Sequence, residues 1–408
     1  MTQNSRMGRK LFTVIMAGGC GERLRPLSTK ERPKQFLRLF GDRTMIQETV
    51  DRITRLVPLD DAYVVVGREY VELVQEQLPK LPQKNIIVEP VGRGTAPCIG
   101  LAALALSRIN SKGVMIVLPA DHVVKEKKRF LRLLADAVVL AREGTHLITL
   151  GTPPNRPATG YGYIQASTSW SSHSSVVKSV VLQVDQFIEK PNRETAERFL
   201  CQEDYYWNSG IFVWRVDTIL HAINQYMPNL YKGLMAIEEC TGTSGYEEIL
   251  NKIYGEQETV SIDYGVMEKC NRVLVLPTGD IGWSDVGNWE TLKEVLKKVE
   301  KPWGFEELWA LNSNYAGKIL HIRAGESLSV QYHKVKEETI LLQSGRLLLY
   351  VGKDTSAFQK INMLPGMSFH IPSGLIHQME ALEECVLLEV STPHLDDVVR
   401  LKDPYGRV

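Results

Sequence analysis

The chain has 408 residues, 44% of them hydrophobic and 24% charged. That is an ordinary globular composition, and the length predicts two domains rather than one core. Its 48 basic residues balance 48 acidic ones, so there is no overall field to draw in nucleic acid or a membrane surface, and neither is expected as a partner.

The first apolar run, LFTVI, predicts a buried strand over residues 11–17. It breaks into MAGGCGERLRPLSTKERPKQF (16–36), where glycines are followed by three arginines and two lysines. Glycines have no Cβ to keep an anion from the backbone N–H groups, and the basic side chains would add charge-assisted hydrogen bonds. The stretch reads as a phosphate-holding loop, without the GK[ST] ending of a P-loop and without GxGxxG spacing. A helix is expected over 45–56, where Ile46, Val50 and Ile53 share a face. Strands over 62–66, 86–89, 114–119 and 147–151 then alternate with helices over 95–109 and 130–143. This rhythm predicts a doubly wound, parallel α/β sheet with ligands at the carboxyl ends of its strands.

SWSSHSSVVKS (169–179) predicts a loop or hairpin tip. Short strands and helices follow, up to a last amphipathic helix over 289–299. From Lys301 onward, short strands separated by Gly, Pro and Asn predict a small all-β barrel or sandwich. The domain boundary is therefore placed near residue 300, giving 1–300 and 301–408 as separable modules. Six cysteines, at 20, 98, 201, 240, 270 and 385, form no CxxC pair. Reduced thiols, mostly in cores, are expected. The basic start is followed by no apolar stretch long enough for a signal or a span, which predicts a cytoplasmic protein.

Four further stretches carry chemistry. LPADH puts Asp121 at a strand tip, a Mg²⁺ ligand candidate because Mg²⁺ takes hard oxygens beside phosphates; the commoner role of a lone Asp there is a cap or loop residue. FIEKP sets Glu189 and Lys190 at another strand end, equally readable as a surface ion pair. WNSGIFVW places Asn208 on a turn before an apolar strand, suited to hydroxyls. GWSDVGNW holds Asp285 between glycines and tryptophans, a second metal candidate or an Asx turn.

In their order and wording, MAGGCGERLRPLS…RPKQF, EPVGRGTAP, LPADH, GYGYI, FIEKP, WNSGIF and GWSDVGNW resemble the sugar-1-phosphate nucleotidyltransferases over roughly residues 11–289. Among these the likeness is to the bacterial mannose-1-phosphate guanylyltransferases. The resemblance implies a Rossmann-like nucleotidyltransferase domain that moves GMP from GTP to α-D-mannose 1-phosphate, giving GDP-mannose and pyrophosphate. By the same likeness, Arg23 would hold the β- and γ-phosphates, Lys34 the nucleotide phosphates, and Lys190 would bridge to the sugar phosphate. Asp121 and Asp285 would hold Mg²⁺. Gly18 and Gly19 would admit the nucleotide, with Glu89, Arg93 and Thr95 on its guanine side. Gly162, Glu189 and Asn208 would bind substrate, the last two through sugar hydroxyls.

In GESLSVQYHKVKEETILLQSG (325–345), Gln331 and His333 stand two apart and share a strand face, and Glu338 follows. GMSFHIPSGLIH (366–377) adds His377. These stretches resemble the two cupin motifs, which implies that Gln331, His333, Glu338 and His377 converge on one divalent metal. Two imidazoles with oxygen donors suit Zn²⁺, Fe, Mn or Ni. The segment KPWG…PYGR is similar to the C-terminal mannose-6-phosphate isomerase domain of bifunctional bacterial enzymes. It puts Arg400, Asp403 and Arg407 on an RxxDxxGR ending that would bind the phosphate of mannose 6-phosphate. Two departures stand out. Lys334, Val335 and Thr339 occupy histidine positions of those enzymes, and no β-helix spacer separates the domains. Isomerase activity and homodimerisation stay open. The alternatives are a nucleotidyltransferase for another sugar 1-phosphate with the cupin as sensor, and a silent regulatory homologue. Retention of Arg23, Lys34, Lys190, Asp121 and Asp285 speaks against the silent homologue.

Overall fold

The computed structural model describes residues 10–407 apart from residues 20, 21, 26, 41, 172–175 and 297. It forms two compact units, one of Met1–Gly18 with Ile46–Trp283, the other of Gly19–Met45 with Ser284–Val408.

In the first unit, β1 (Leu11–Met16), α1 (Met45–Ile53), β2 (Ala62–Gly67), α2 (Val71–Gln77), β3 (Ile86–Glu89), α3 (Thr95–Asn110) and β4 (Val114–Pro119) follow the expected alternation. The strands pair in parallel in the order β3-β2-β1-β4. Next come α4 (Lys127–Ala141) and β5 (Leu147–Thr152). The Ser-rich stretch joins β7 (Thr168–Ser169) to β8 (Leu182–Gln183), an antiparallel pair. This is the expected hairpin, although its tip, 172–175, lies outside the described residues. Before and after that pair run β6 (Tyr163–Gln165) and β9 (Gln186–Ile188), followed by α5 (Arg193–Leu200).

Two expectations are corrected at β10 (Tyr205–Arg215). It runs antiparallel between β4 and β5, so the sheet is mixed rather than parallel. Asn208 lies inside this strand, not on a turn. The turn-like Asn-Ser-Gly is a register shift between Asn208 and Phe212, with Gly210 at φ +66. Trp207, Ile211 and Phe212 on either side are buried and carry the ladder through. The helices α6 (Val216–Tyr226), α7 (Pro228–Glu239) and α8 (Tyr246–Gly255) lead to β11 (Val273–Pro277), parallel to β5. Phe12, Val14, Met115 and Val117 pack one sheet face against α3 and α6, and Ile116 and Leu118 pack the other against Leu134 and Val138 of α4.

In the second unit, α9 (Trp289–Leu296) stops earlier than the predicted 299, and β12 (Lys298–Lys301) pairs instead with β13 (Gly304–Leu311). The alternation in KVEK suits a strand as well as a helix, and the partner at 304–307 decides. The rest is all β: β14 (Ala316–Ile322), β15 (Val330–Tyr332), β16 (Glu338–Ser344), β17 (Leu347–Gly352), β18 (Gln359–Met363), β19 (Ser368–Ile371), β20 (Ile376–Ala381), β21 (Cys385–Ser391) and β22 (Val399–Lys402). They form a six-stranded sheet, β12-β13-β14-β21-β16-β19, and a five-stranded one, β18-β17-β20-β15-β22. Leu320, Ile340, Leu349, Met379 and Leu387 fill the space between.

The five described cysteines are free thiols. Only Cys98 and Cys385 are buried, which corrects the expectation that most lie in cores; Cys201, for one, sits just past the end of α5, at the surface. Among the described residues no helix is long and apolar enough to cross a membrane.

Candidate active site and metal centre

In the first unit β1 ends at Met16, and Gly18 follows two residues on. A Cβ there would stand 3.1 Å from Glu89 Oε2, so the missing side chain lets backbone and carboxylate lie together. Glu89 ends β3, buried; desolvation raises its pKa although the Tyr254 hydroxyl donates to it. Arg93 and Thr95 turn elsewhere. The Arg93 guanidinium donates to Gly255 O, and Thr95 Oγ1 accepts from the Ile262 N–H at 2.8 Å. Between them Gly94 has φ +80, and a Cβ on it would come within 2.6 Å of Val260 O. This stretch therefore grips residues 255–262.

Asp121 follows β4 by two residues, and α1 holds the carbonyls on both sides of it. Thr49 Oγ1 donates to Ala120 O at 3.3 Å, and Arg52 Nη2 donates to His122 O at 2.9 Å. Arg52 is 7% exposed, and desolvation lowers its pKa to about 10. A buried guanidinium needs such partners, and here they fix the loop that carries Asp121.

The structure brings Gly162, Glu189, Lys190 and Asn208 together. A Cβ on Gly162 would collide with Glu189 Oε2. The Asn208 N–H donates to Gly162 O at 2.8 Å, and Lys190 Nζ pairs with Glu189 Oε1 at 2.6 Å. Asn208 Nδ2 also donates to Asp263 Oδ1 at 2.8 Å. Asp263 opens a single π-turn, Asp263–Met267. Burial first, then the charge of Glu189, pushes its carboxyl up to about 6.

Arg23, Lys34 and Asp285 belong to the second unit. Arg23 is exposed on the short turn Glu22–Leu24. Lys34 is only 5% exposed, on the turn Lys34–Phe36. Its ammonium donates to Asp285 O at 2.6 Å and Val286 O at 3.3 Å. Val286 has φ +48, strained for a β-branched residue. Among the described residues the other non-glycine with positive φ is Lys190, at +46. Beside Gly19 there is open space, and its carbonyl accepts from Gln35 Nε2 at 3.0 Å.

Within the barrel, ligand atoms of His333, Glu338 and His377 lie within 4.8 Å of one another, all three residues buried. Each imidazole donates from Nδ1 to a backbone carbonyl, His333 to Asp397 O and His377 to Leu375 O at 3.0 Å. Both Nε2 lone pairs are left facing Glu338, at 3.6 and 3.5 Å. His333 Nε2 is buried with no hydrogen-bond partner. A tautomer fixed from behind, with the inner nitrogen left bare, is how a metal-ligating histidine is held. Burial lowers the pKa of His377, which favours the neutral, ligating form. Burial opposes ionisation of Glu338, but Lys336 and the imidazoles outweigh it and hold the carboxyl well below the usual range. Gln331 pairs with His377 across β15 and β20, its Nε2 3.5 Å from His377 Nε2 and its Oε1 taken by Ser329. Arg400 and Arg407 line the same cavity. Arg407 makes a two-pronged pair with Asp403 at 2.7 and 2.8 Å, and Arg400 pairs with Asp42 at 3.1 Å.

Residues 12–302 match the nucleotidyl transferase family. The chain belongs to that family. Residues 288–403 also match the mannose-6-phosphate isomerase C-terminal family. This nucleotidyl transferase is 32% identical to the mannose-1-phosphate guanylyltransferase of Escherichia coli, over 97% of this chain and 100% of that one. The alignment runs over 484 positions, so the relative carries segments that this chain of 408 residues lacks. It is 42% identical to the mannose-1-phosphate guanylyltransferase of Klebsiella pneumoniae over 71% of this chain, spanning 61% of that protein. Among solved structures, mannose-1-phosphate geranyltransferase from Thermus thermophilus superposes with TM-score 0.61 at 32% identity, over 72% of this chain and 81% of that one. Mannose-6-phosphate isomerase from Helicobacter pylori does so with TM-score 0.55 at 25% identity, over 67% of this chain and 99% of that one.

Sequence reasoning missed three residues that shape the sites of this nucleotidyl transferase. Asp263 left one signal, a lone acid in the apolar stretch VSIDYGVM. Arg52, which no motif singles out, is buried against the Asp121 loop. Lys336, buried, pairs with Glu338 and with Glu389 at 2.8 Å inside the barrel.

Proposed function

We propose that this nucleotidyl transferase moves GMP from GTP to α-D-mannose 1-phosphate, releasing pyrophosphate and GDP-mannose. The observation that carries the reading is the cluster around Gly162. There Glu189 and Asn208 offer an acceptor and a donor to sugar hydroxyls, and Lys190 adds a cation for the sugar's phosphate. The full-length likeness to a mannose-1-phosphate guanylyltransferase supports the choice of sugar.

A sugar 1-phosphate oxygen is already anionic at neutral pH and needs no general base. It attacks the α-phosphorus in line; the new O–P bond forms as the bond to the β-phosphate oxygen breaks, and pyrophosphate carries away the electron pair. Arg23 would offset the charge on the leaving pyrophosphate, Lys34 would hold the nucleotide phosphates, and Lys190 would orient the nucleophile. Gly18 and Gly19 would admit the nucleotide, with Glu89 on its base. Asp121 and Asp285 would hold Mg²⁺, whose hard-oxygen preference suits two carboxylates, and which supplies charge neutralisation when bound. Motif content divides this chemistry into 1–300 and 301–408, in a cytoplasmic protein.

A second reading concerns the barrel. His333, Glu338 and His377 fit a divalent transition metal such as Zn²⁺, with Gln331 beside them, because both Nε2 atoms face one carboxylate and that of His333 has no hydrogen-bond partner. Arg400 and Arg407 would bind the phosphate of mannose 6-phosphate for isomerisation. Two assays on the purified chain test both readings. The first follows pyrophosphate release and GDP-mannose formation from GTP and mannose 1-phosphate. The second follows exchange between mannose 6-phosphate and fructose 6-phosphate.

A further inference from the structure

Residues that follow the phosphate-holding glycines are built into the barrel's own unit. The Arg38 backbone N–H donates to Asp396 Oδ1 at 2.7 Å, and Arg32 Nη2 stands 3.3 Å from Asp396 Oδ2. The Asp396 side chain is 6% exposed. Of its two oxygens only Oδ1 accepts a hydrogen bond, from the Arg38 N–H; Oδ2 is buried with no hydrogen-bond partner and has the charge of Arg32 beside it. Its neighbour Asp397 grips the other way. Its carboxylate accepts from the N–H groups of Lys334, Val335 and Lys336 at 3.1, 2.6 and 2.7 Å, and its carbonyl accepts from His333 Nδ1. The pair 396–397 is thus a two-sided clamp between residues 32–38 and the loop from His333 to Glu338.

Lys34 lies between the two points that Asp396 holds, on a turn of three residues. One short turn depends on outside contacts to hold its conformation, since it fixes several dihedrals for one hydrogen bond; Lys34 and Gln35 bond Asp285, Val286 and Gly19, and Asp396 adds a contact on either side. We propose that Asp396 is a positioning residue for nucleotidyl transfer: it fixes residues 32–38 in the conformation that presents Lys34. The inference rests on the transferase reading above. It also departs from the separable modules that the sequence pattern predicts, because a chain ending near residue 298 would strip Asp396 from the segment it holds.

The test uses the full-length chain with GTP and mannose 1-phosphate. Asp396→Ala should raise the KM for GTP about tenfold or more while the KM for mannose 1-phosphate stays put. Asp396→Asn keeps an acceptor for the Arg38 N–H and should recover most of the loss. Amide hydrogen exchange on the same samples should rise over residues 30–40 in Asp396→Ala. An unchanged KM for GTP in that variant overturns the proposal, whether or not exchange rises. So does a fall in kcat alone with both KM values unchanged, which marks a smaller folded fraction. A wild-type chain that makes no pyrophosphate from GTP with any sugar 1-phosphate brings down the transferase reading itself, and the proposal with it.

Discussion

Replacing Asp263 with asparagine should stabilise the protein at neutral pH. The carboxyl titrates near 6 in the folded state instead of 3.8, because burial and the charge of Glu189 both oppose ionisation. At 1.36 kcal/mol per unit this is about 3 kcal/mol against the ionised form. Between pH 4 and pH 6 the unfolded chain has released this proton while the folded one keeps it, so wild-type stability falls as pH rises through that window. The amide oxygen of the variant can still accept from Asn208 Nδ2 without a charge to bury. The advantage of Asp263→Asn should therefore be near zero below pH 4, grow to pH 6, and level off near 3 kcal/mol. At roughly 2–4 °C per kcal/mol, the Tm should rise by roughly 6–12 °C at pH 8. Thermal unfolding followed by circular dichroism from pH 4 to pH 8 measures this. An equal or lower Tm for the variant at pH 8, or an offset that does not shrink toward pH 4, would refute the reasoning.

Four other variants probe the remaining groups. Asp121→Asn and Asp285→Asn should each lower kcat by about a hundredfold or more with the fold intact, and near wild-type turnover of either at saturating Mg²⁺ would remove its role as a ligand. Arg23→Ala should reduce kcat more than it weakens GTP binding, because charge on the departing pyrophosphate grows in the transition state; steady-state kinetics showing a pure KM effect would contradict this. His333→Ala combined with His377→Ala should abolish binding of about one divalent metal per chain, read by elemental analysis after dialysis, and full metal retention would place the metal elsewhere.

Much of the first sheet was legible because its strands are fully apolar and separated by periodic helices, as LFTVI and VMIVLP show. Strand direction was not: an apolar run such as IFVWR is the same whether its neighbours run with it or against it, and only pairing with β4 and β5 makes β10 antiparallel. Asn-Ser-Gly carries turn chemistry by composition, yet buried neighbours turn it into a bulge. KVEK fits both periods, and a partner strand settles it. The candidate sites were legible as motif words, which placed Gly162, Glu189, Lys190 and Asn208 in one cluster and His333, Glu338 and His377 in another. What stayed hidden were the residues behind them. Arg52, Asp263 and Asp396 act through backbone carbonyls, a π-turn and a contact between residues 358 apart in sequence, and of the three only Asp263 leaves a local signal, a lone acid in an apolar stretch.

The decisive measurement is pyrophosphate release by the purified full-length chain, with Mg²⁺ and GTP, across a panel of sugar 1-phosphates that includes mannose, glucose and galactose. Release should be fastest with mannose 1-phosphate and should yield GDP-mannose in equal amount, with ATP, CTP or UTP in place of GTP giving little. Faster release with another sugar or another nucleotide, or none with any pair, would contradict the assignment.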